Sequence, residues 1–320
     1  MYMFKYIMKR LGLMLLTFAI IMLISFILIK LVPIVIDVSI GTDAKILEAQ
    51  LKARGYYDPI PVQLFNYIKR IVLYGDWGIG TTMPEYRYQP VWDAFVSRLP
   101  PTVLINVYSS LFAVPIGLLL GVYAALRKNK WQDHVISTLV MVFVSIPGYV
   151  TAFLLQYFVC FKLNLFPLTL QSGTNWFSWE MFHSMIPPVL AMSFGSIAGY
   201  CRFTRAELTE VLTGEYLLLA RTKGLTKRQS IFRHALRLAM VPIFPSIIGE
   251  FISVLSGSLI IEQIFGIPGV GNLYLNSINN LDYDFFMLLS GFYTLIGLLA
   301  GIVIDISYGI IDPRIRVGAK

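Results

Sequence analysis

Charge is scarce in this sequence. Asp, Glu, Lys and Arg make up 14% of its 320 residues, against 57% hydrophobic ones. That imbalance excludes an ordinary soluble domain and surrounds most side chains with lipid or with other helices. Histidine is also sparse: His134, His183 and His234 are too scattered to propose a metal site, and no HExxH motif occurs. Cys160 and Cys201 fall in or beside apolar runs, which argues against a disulfide framework. A GxxxxGK[ST] phosphate loop is missing, so ATP should not bind by that route. No Ser, His and carboxylate gather within one apolar run, so no catalytic residues are expected. Two related halves with interrupted helices are not evident either, which disfavours a self-contained secondary transporter. The net charge of +8 could suggest a nucleic-acid partner. The basic residues, however, flank apolar runs and do not line one soluble face, so membrane topology accounts for them better.

What the chain does have is long apolar stretches. A helix needs about 20 apolar residues to cross the hydrocarbon core. Six stretches qualify: Leu11 to Lys30, Val103 to Leu126, Val135 to Phe161, Pro187 to Cys201, Leu238 to Ile261 and Phe285 to Ile304. The fold class is therefore all-α, an integral membrane protein with six transmembrane helices. The short basic start, with no small-residue cleavage site before Pro33, reads as a retained signal anchor.

The N-terminus, the loop after the second stretch, the loop after the fourth and the tail hold 17 of the 26 basic residues. Those segments, and with them both termini, are expected in the cytoplasm. Residues 33–101 are then extracytoplasmic and too long for a simple connector. Asp43 to Arg54 and Pro61 to Tyr74 look helical there, whereas Tyr74 to Pro90, rich in Gly, Tyr and Pro, looks irregular. The expected organisation is an N-terminal end with the first helix (1–32), the outer segment (33–101), a five-helix core (102–311) and a tail (312–320).

The core carries one elaborate polar loop, residues 202–237, which reads as two short helices meeting at a corner. Gly214 can open the first, with Glu215 in the turn where the helix dipole favours an acid. Arg221 and Lys223 close it, and Gly224 suits a left-handed terminating residue. Thr226 and Gln229 have capping-box spacing for the next helix. The corner should expose Tyr216, Leu217, Leu218 and Leu219 beside Arg221, Lys223, Lys227 and Arg228. An apolar patch rimmed by charge suits a docking surface, or an amphipathic contact with anionic lipid. The glycine corner favours docking, because it adds nothing to lipid binding.

Within the apolar stretches, small residues recur four apart: Gly117 and Gly121, Gly195 and Gly199, Gly297 and Gly301, and Gly249, Ser253 and Gly257. Close helix packing is the default reading for each. Glu250 shares a stripe with Ser246, Ser253 and Gly257, and an intramembrane acid should face a partner or water. Ser145-Ile146-Pro147-Gly148-Tyr149 frees backbone groups inside a span, either as a packing kink or to line a pathway. Ser145, Pro147, Tyr149, Glu250, Ser253 and Ser256 are the candidate path residues.

These motifs, in order, resemble one family. Ala220-Arg221-Thr222-Lys223-Gly224-Leu225 followed by Arg233-His234-Ala235-Leu236-Arg237 is similar to the cytoplasmic coupling loop of permease subunits in binding-protein-dependent ABC importers. The match is to the first permease of the oligopeptide, dipeptide and nickel branch. Phe265-Gly266-Ile267-Pro268-Gly269-Val270-Gly271 resembles that branch's outer loop after the fifth span. Asp305, Tyr308 and Asp312-Pro313-Arg314-Ile315-Arg316 resemble its C-terminal signature, and Arg98-Leu99-Pro100 with Thr102 the start of its core. The general loop has Glu-Ala-Ala before its glycine and a proline thirteen residues after it. Here Leu218-Leu219-Ala220 and Arg237 stand there, a departure shared by the peptide branch.

The resemblance implies a type I ABC importer permease fold and a non-enzymatic subunit in the cytoplasmic membrane of a bacterium or archaeon. Expected partners are a second homologous permease, two ABC ATPases, an extracytoplasmic solute-binding protein and the lipid bilayer, with no nucleic acid. ATP and Mg would sit on the ATPases, and this chain would bind no cofactor. Glu215, Tyr216, Leu219, Ala220, Arg221, Lys223, Gly224, Leu225 and Arg228 would form the ATPase-coupling surface. The competing reading, from the residues alone, is a stand-alone channel or membrane enzyme that uses the Glu250 stripe.

Overall fold

The computed structural model describes residues 2–32, 44–53, 55–173 and 175–311. Among them there is no β-strand, only two isolated bridges, Ile79 with Pro90 and Gly80 with Arg87. The helices are α1 (Tyr2–Leu31), α2 (Ala44–Ala53), α3 (Ile60–Tyr74), α4 (Val91–Leu126), α5 (Trp131–Ser145), α6 (Gly148–Leu155), α7 (Trp179–Thr213), α8 (Glu215–Thr222), α9 (Lys227–Ser230), α10 (Leu236–Ser253), α11 (Leu259–Ile264), α12 (Val270–Asn279) and α13 (Tyr283–Ile311). Five continuous helices are long and apolar enough to cross a membrane, and a bent pair supplies a sixth candidate. The chain divides into two compact units. One contains residues 1–100 and 268–298, the other 101–267 and 299–320.

In the first unit, α1 carries apolar residues on all sides and buries few of them, Phe26 and Ile29 among these. Such a helix is solvated by lipid. Its Phe26 ring meets Tyr67 of α3 with centroids 5.5 Å apart. Pro61 in the first turn of α3 needs no amide partner there. Gly75 ends the helix at φ 63°, with Gly75 N donating to Ile71 O, the αL closure, and Asp76 N donating to Arg70 O. The stretch from Tyr74 to Pro90 is irregular as expected, apart from one 3-10 turn, Pro84–Tyr86. Met83, Tyr86, Val91 and Phe95 form a core with Val270, Leu273, Phe285 and Leu289. The expected helix from Asp43 to Arg54 is α2, although Asp43 and Arg54 themselves lie outside the described residues.

In the second unit α7 packs against α5, α6 and α10. A Cβ added at Gly117 would lie 2.7 Å from the Tyr200 Cβ, and one at Gly121 would lie 2.6 Å from the Thr204 Cβ. Those two glycines are therefore the close-packing pair the spacing suggests. Gly249 likewise abuts Ile304, whereas among the described residues Gly195, Gly199, Gly297 and Gly301 have nothing within 4 Å of an added Cβ. The close-packing reading thus does not hold for those four.

The first, second and sixth spans run past their expected bounds, as α1, α4 and α13, and the other three differ further. The third is not one helix: α5 and the α6 segment, continued by π-helical turns through Lys162, are bent by 99°. Pro147 has no amide to donate and disfavours helix at Ile146, which is extended at ψ 124°. The fourth runs well past both expected ends: Ser178 caps it by accepting from Met181 N, Pro187 and Pro188 are held inside it, and no Gly or Pro follows Cys201 before Gly214. The fifth starts at Lys227 and not at Leu238, continuing through π-helical turns at Ile231–Ala235 into α10. It ends at Gly257, held at φ 63°, before α11.

Candidate functional site

The polar loop builds a compact corner. Gly214 ends α7 and starts α8 in one extended residue. Leu217 N donates to Gly214 O at 3.1 Å, so the chain re-enters helix at once. At the far end Gly224 stands at φ +89°, its N donating to Arg221 O at 2.9 Å. A Cβ there would meet nothing within 4 Å, so the backbone conformation, and not space, requires glycine. The capping box is present: Gln229 N donates to Thr226 Oγ1, and Thr226 N donates to Gln229 Oε1. The helix it opens is no separate short one, as the sequence suggests, but the first turn of the fifth span.

The corner separates anchoring from display. Leu217 is 3% exposed and packs with Ala125, Leu208, Ala235 and Ala239, so it is not part of the surface patch. At 100° per residue its neighbours must turn outward, and Leu218 and Leu219 are 64% and 56% exposed. Glu215, Arg221, Lys223, Gly224 and Arg228 are exposed around them, with Ala220 and Leu225 half-buried. The Tyr216 side chain lies outside the described ones.

A second feature is a groove of about 550 Å³ between the bent pair and α7. Val144, Ile146 and Gly148 line one wall, and Gly195, Gly199 and Arg202 the other. Ser145, Pro147 and Tyr149 alternate with the lining residues and are exposed. Glu250 and Ser253 are not in the lining. Glu250 is half-buried and accepts from Ser196 Oγ at 3.2 Å, so this intramembrane acid does face a partner. Ser253 is exposed and donates to Glu250 O, and the Ser256 side chain lies outside the described ones. The candidate path residues are thus split between two places.

Sequence reasoning missed four buried acids, Asp133, Glu262, Asp282 and Asp284. Arg205 donates through Nε and Nη2 to both carboxylate oxygens of Asp133, which also accepts from Asn129 N and Ser137 Oγ. This fork ties the start of α5 to α7. Arg205 entered the topology reading only as a positive charge. Its pairing needed the knowledge that the third and fourth spans meet at this end. Glu262 is 3% exposed and accepts from Thr102 Oγ1 at 2.8 Å, and its backbone oxygen accepts from Ile267 N. That bond joins the start of the core to the break after the fifth span.

The third acid, in the first unit, is Asp282. Its Oδ2 accepts from the amides of Thr81, Thr82 and Met83 at 2.7, 2.9 and 3.3 Å. Burial raises its pKa above the usual carboxylate value, although the three amide donors oppose the shift. Near it, Arg70 pairs with Asp284 at 3.2 Å. Burial would lower the Arg70 guanidinium, but Asp284, Tyr56 and Asp76 together outweigh it and the pKa ends above the ordinary value. Burial, aided by the Asp284 charge, also pushes the Tyr56 and Tyr67 phenols up. The signature Asp312 to Arg316 lies outside the described residues.

Against known proteins, residues 117–317 match the family described as binding-protein-dependent transport system inner membrane component. The dipeptide transport system permease protein DppB of Lactococcus lactis subsp. cremoris is 34% identical over 98% of this chain and 100% of its own length. The oligopeptide transport system permease protein OppB of Escherichia coli K12 is 32% identical over 98% of this chain and 100% of its own. Among solved structures, an amino acid ABC transporter crystallised with histidines aligns at TM-score 0.50 and 20% identity, covering 67% of this chain and 92% of that one. The MetNI methionine ABC transporter, inward facing, aligns at TM-score 0.50 and 17% identity over 68% and 97%. Those likenesses speak for the fold, while the sequence matches speak for the lineage. A multi-pass helical body and near full-length similarity agree: this chain belongs to the family of inner membrane components of binding-protein-dependent transport systems, a transport permease and not an enzyme.

Proposed function

We propose that this chain is one of two homologous permeases in an ATP-driven importer of dipeptides or oligopeptides. It forms half of the pathway, in a cytoplasmic membrane, with both termini and the α7–α8–α9 corner in the cytoplasm. Two ABC ATPases bind ATP and Mg beneath it, and a solute-binding protein delivers cargo to the 33–101 side. The observation that carries this reading is similarity over nearly the whole chain to permeases named for dipeptides and oligopeptides.

The corner supplies the mechanical link. Leu218 and Leu219 present an apolar tip within a cationic rim that seats in a cleft of one ATPase, and Leu217 transmits the push to α7 and the fifth span. ATP-driven closure of the ATPases then biases a membrane body that has two arrangements. The break at Pro147 and the groove beside it are the parts that face cargo. Arg202 at that groove gives it one fixed positive charge.

The test is uptake of labelled peptide by the reconstituted complex. Leu218→Asp with Leu219→Asp should reduce uptake to background and weaken co-purification of the ATPase, with the chain still folded in the membrane. Undiminished uptake and co-purification would overturn the coupling assignment. Uptake of no peptide by the intact complex would overturn the cargo assignment.

A further inference from the structure

The outward face of α3 is apolar, with Phe65 67% and Val72 72% exposed and Ile68 and Val62 also uncovered. Its opposite face, with Leu64 and Tyr67, joins a cluster with Phe26, Tyr283 and Met287. A third edge, with Gln63, Asn66 and Arg70, lines a polar cavity of about 50 Å³ together with Lys30 and Asp284. With 15 residues, about 22 Å long, α3 is too short to cross a bilayer.

We propose that α3 is an interfacial helix whose Phe65–Ile68–Val72 face is immersed in the bilayer at the Leu31 end of α1. Depth is the argument. Lys30 Nζ lies 3.9 Å from the Tyr56 ring centroid and 4.3 Å from that of Tyr283, and Arg70 pairs with Asp284 nearby. This layer of charge and phenol is where the apolar span of α1 gives way to water. Tyr67, in the middle of α3, meets Phe26 with its ring tilted, one helical turn on the apolar side of Lys30. The α1 surface at that level, Ile24, Ile27 and Leu28, is itself exposed and apolar. Solvent that covers those residues is lipid, and it reaches the outer face of α3 without a step. Lys69, the one charge on that face, has a stem long enough to carry its ammonium to the headgroups.

The experiment is collision accessibility of spin labels in the full chain, assembled with its transporter partners in phospholipid nanodiscs. Labels at Phe65→Cys and Val72→Cys are compared with Ile24→Cys as lipid reference and Asn279→Cys as water reference. The native Cys160 and Cys201 are buried, which keeps the background low. The expected result is that both α3 labels follow Ile24→Cys, several-fold more accessible to oxygen than to an aqueous nickel chelate. Labels that follow Asn279→Cys, or that are shielded from both reagents by a covering protein, would overturn the proposal.

Discussion

The two compact units of this chain are held by different means. In the first, buried acids do the fastening: one oxygen of Asp282 gathers three consecutive amides of the irregular segment, and Asp284 takes Arg70 of α3. A Cβ at Gly78 would overlap the Asp284 carboxylate, so that glycine is part of the same fastening. In the second unit helices approach through absence of side chain, with Gly117 and Gly121 of α4 set against the backbone and Cβ atoms of α7. The difference stems from the groups each segment must satisfy. Loop amides without helix partners need an acceptor. Helices in lipid already satisfy their own amides and gain mainly from close contact.

The comparison breaks most easily at Asp282. Asp282→Ala leaves three buried amides and the Thr82 hydroxyl without their acceptor. At 1–3 kcal/mol for each orphaned group, with some relief by water, the expected loss is about 4 kcal/mol. Limited proteolysis of the 79–90 segment in nanodiscs should show it. Cleavage no faster than in the parent chain would mean that the hydrophobic cluster alone holds the loop. The next largest effect belongs to the other unit. Gly121→Ala puts a methyl 2.7 Å from the Cys201 carbonyl oxygen, and overpacking of this kind costs about 2 kcal/mol. Thermal unfolding in the same nanodiscs measures it, and an unchanged midpoint would show that α4 and α7 can slide apart freely.

This contrast also explains what could be read in the sequence. Apolar run lengths located the spans, and Gly214, Gly224, Thr226 and Gln229 encode the corner locally, so both were legible. The kink at Pro147 was legible as well, but its 99° magnitude was not, since a proline specifies a missing donor and not an angle. Leu217 and Leu218 are the same residue type, and only the positions of Ala125, Leu208, Ala235 and Ala239 decide which one is buried. Asp282 and Thr81 are about two hundred positions apart, and no local pattern marks such a pair. The Asp133–Arg205 fork was hidden for the same reason.

A smaller effect tests whether the Asp282 pin works through charge or through acceptor geometry. Its folded pKa is raised by burial, so the folded state holds the proton more tightly than the unfolded chain. Stability of the first unit should therefore fall as pH rises from the ordinary carboxylate value through the raised one, and level off above it. Oδ1 has no partner among the described residues, which leaves a place for that proton. Asp282→Asn keeps an acceptor for the three amides and should flatten the slope with little loss of stability. A slope that survives in Asp282→Asn belongs to another group.

The smallest expected effect is the most discriminating, because it sets two glycine pairs of identical spacing against each other. Gly195 and Gly199 lie four apart on α7 just as Gly117 and Gly121 do on α4, yet an added Cβ at Gly199 meets nothing within 4 Å. Alanine is the better helix former, so Gly199→Ala should change the unfolding midpoint little, within about 0.5 kcal/mol, or raise it slightly. If the open wall serves cargo, a large residue there should act on transport and not on stability. Gly199→Trp is then expected to fold normally and to block uptake in the reconstituted importer. Should Gly199→Ala destabilise as much as Gly121→Ala, both pairs would be packing seams, and the groove would be the seat of another helix and not a pathway.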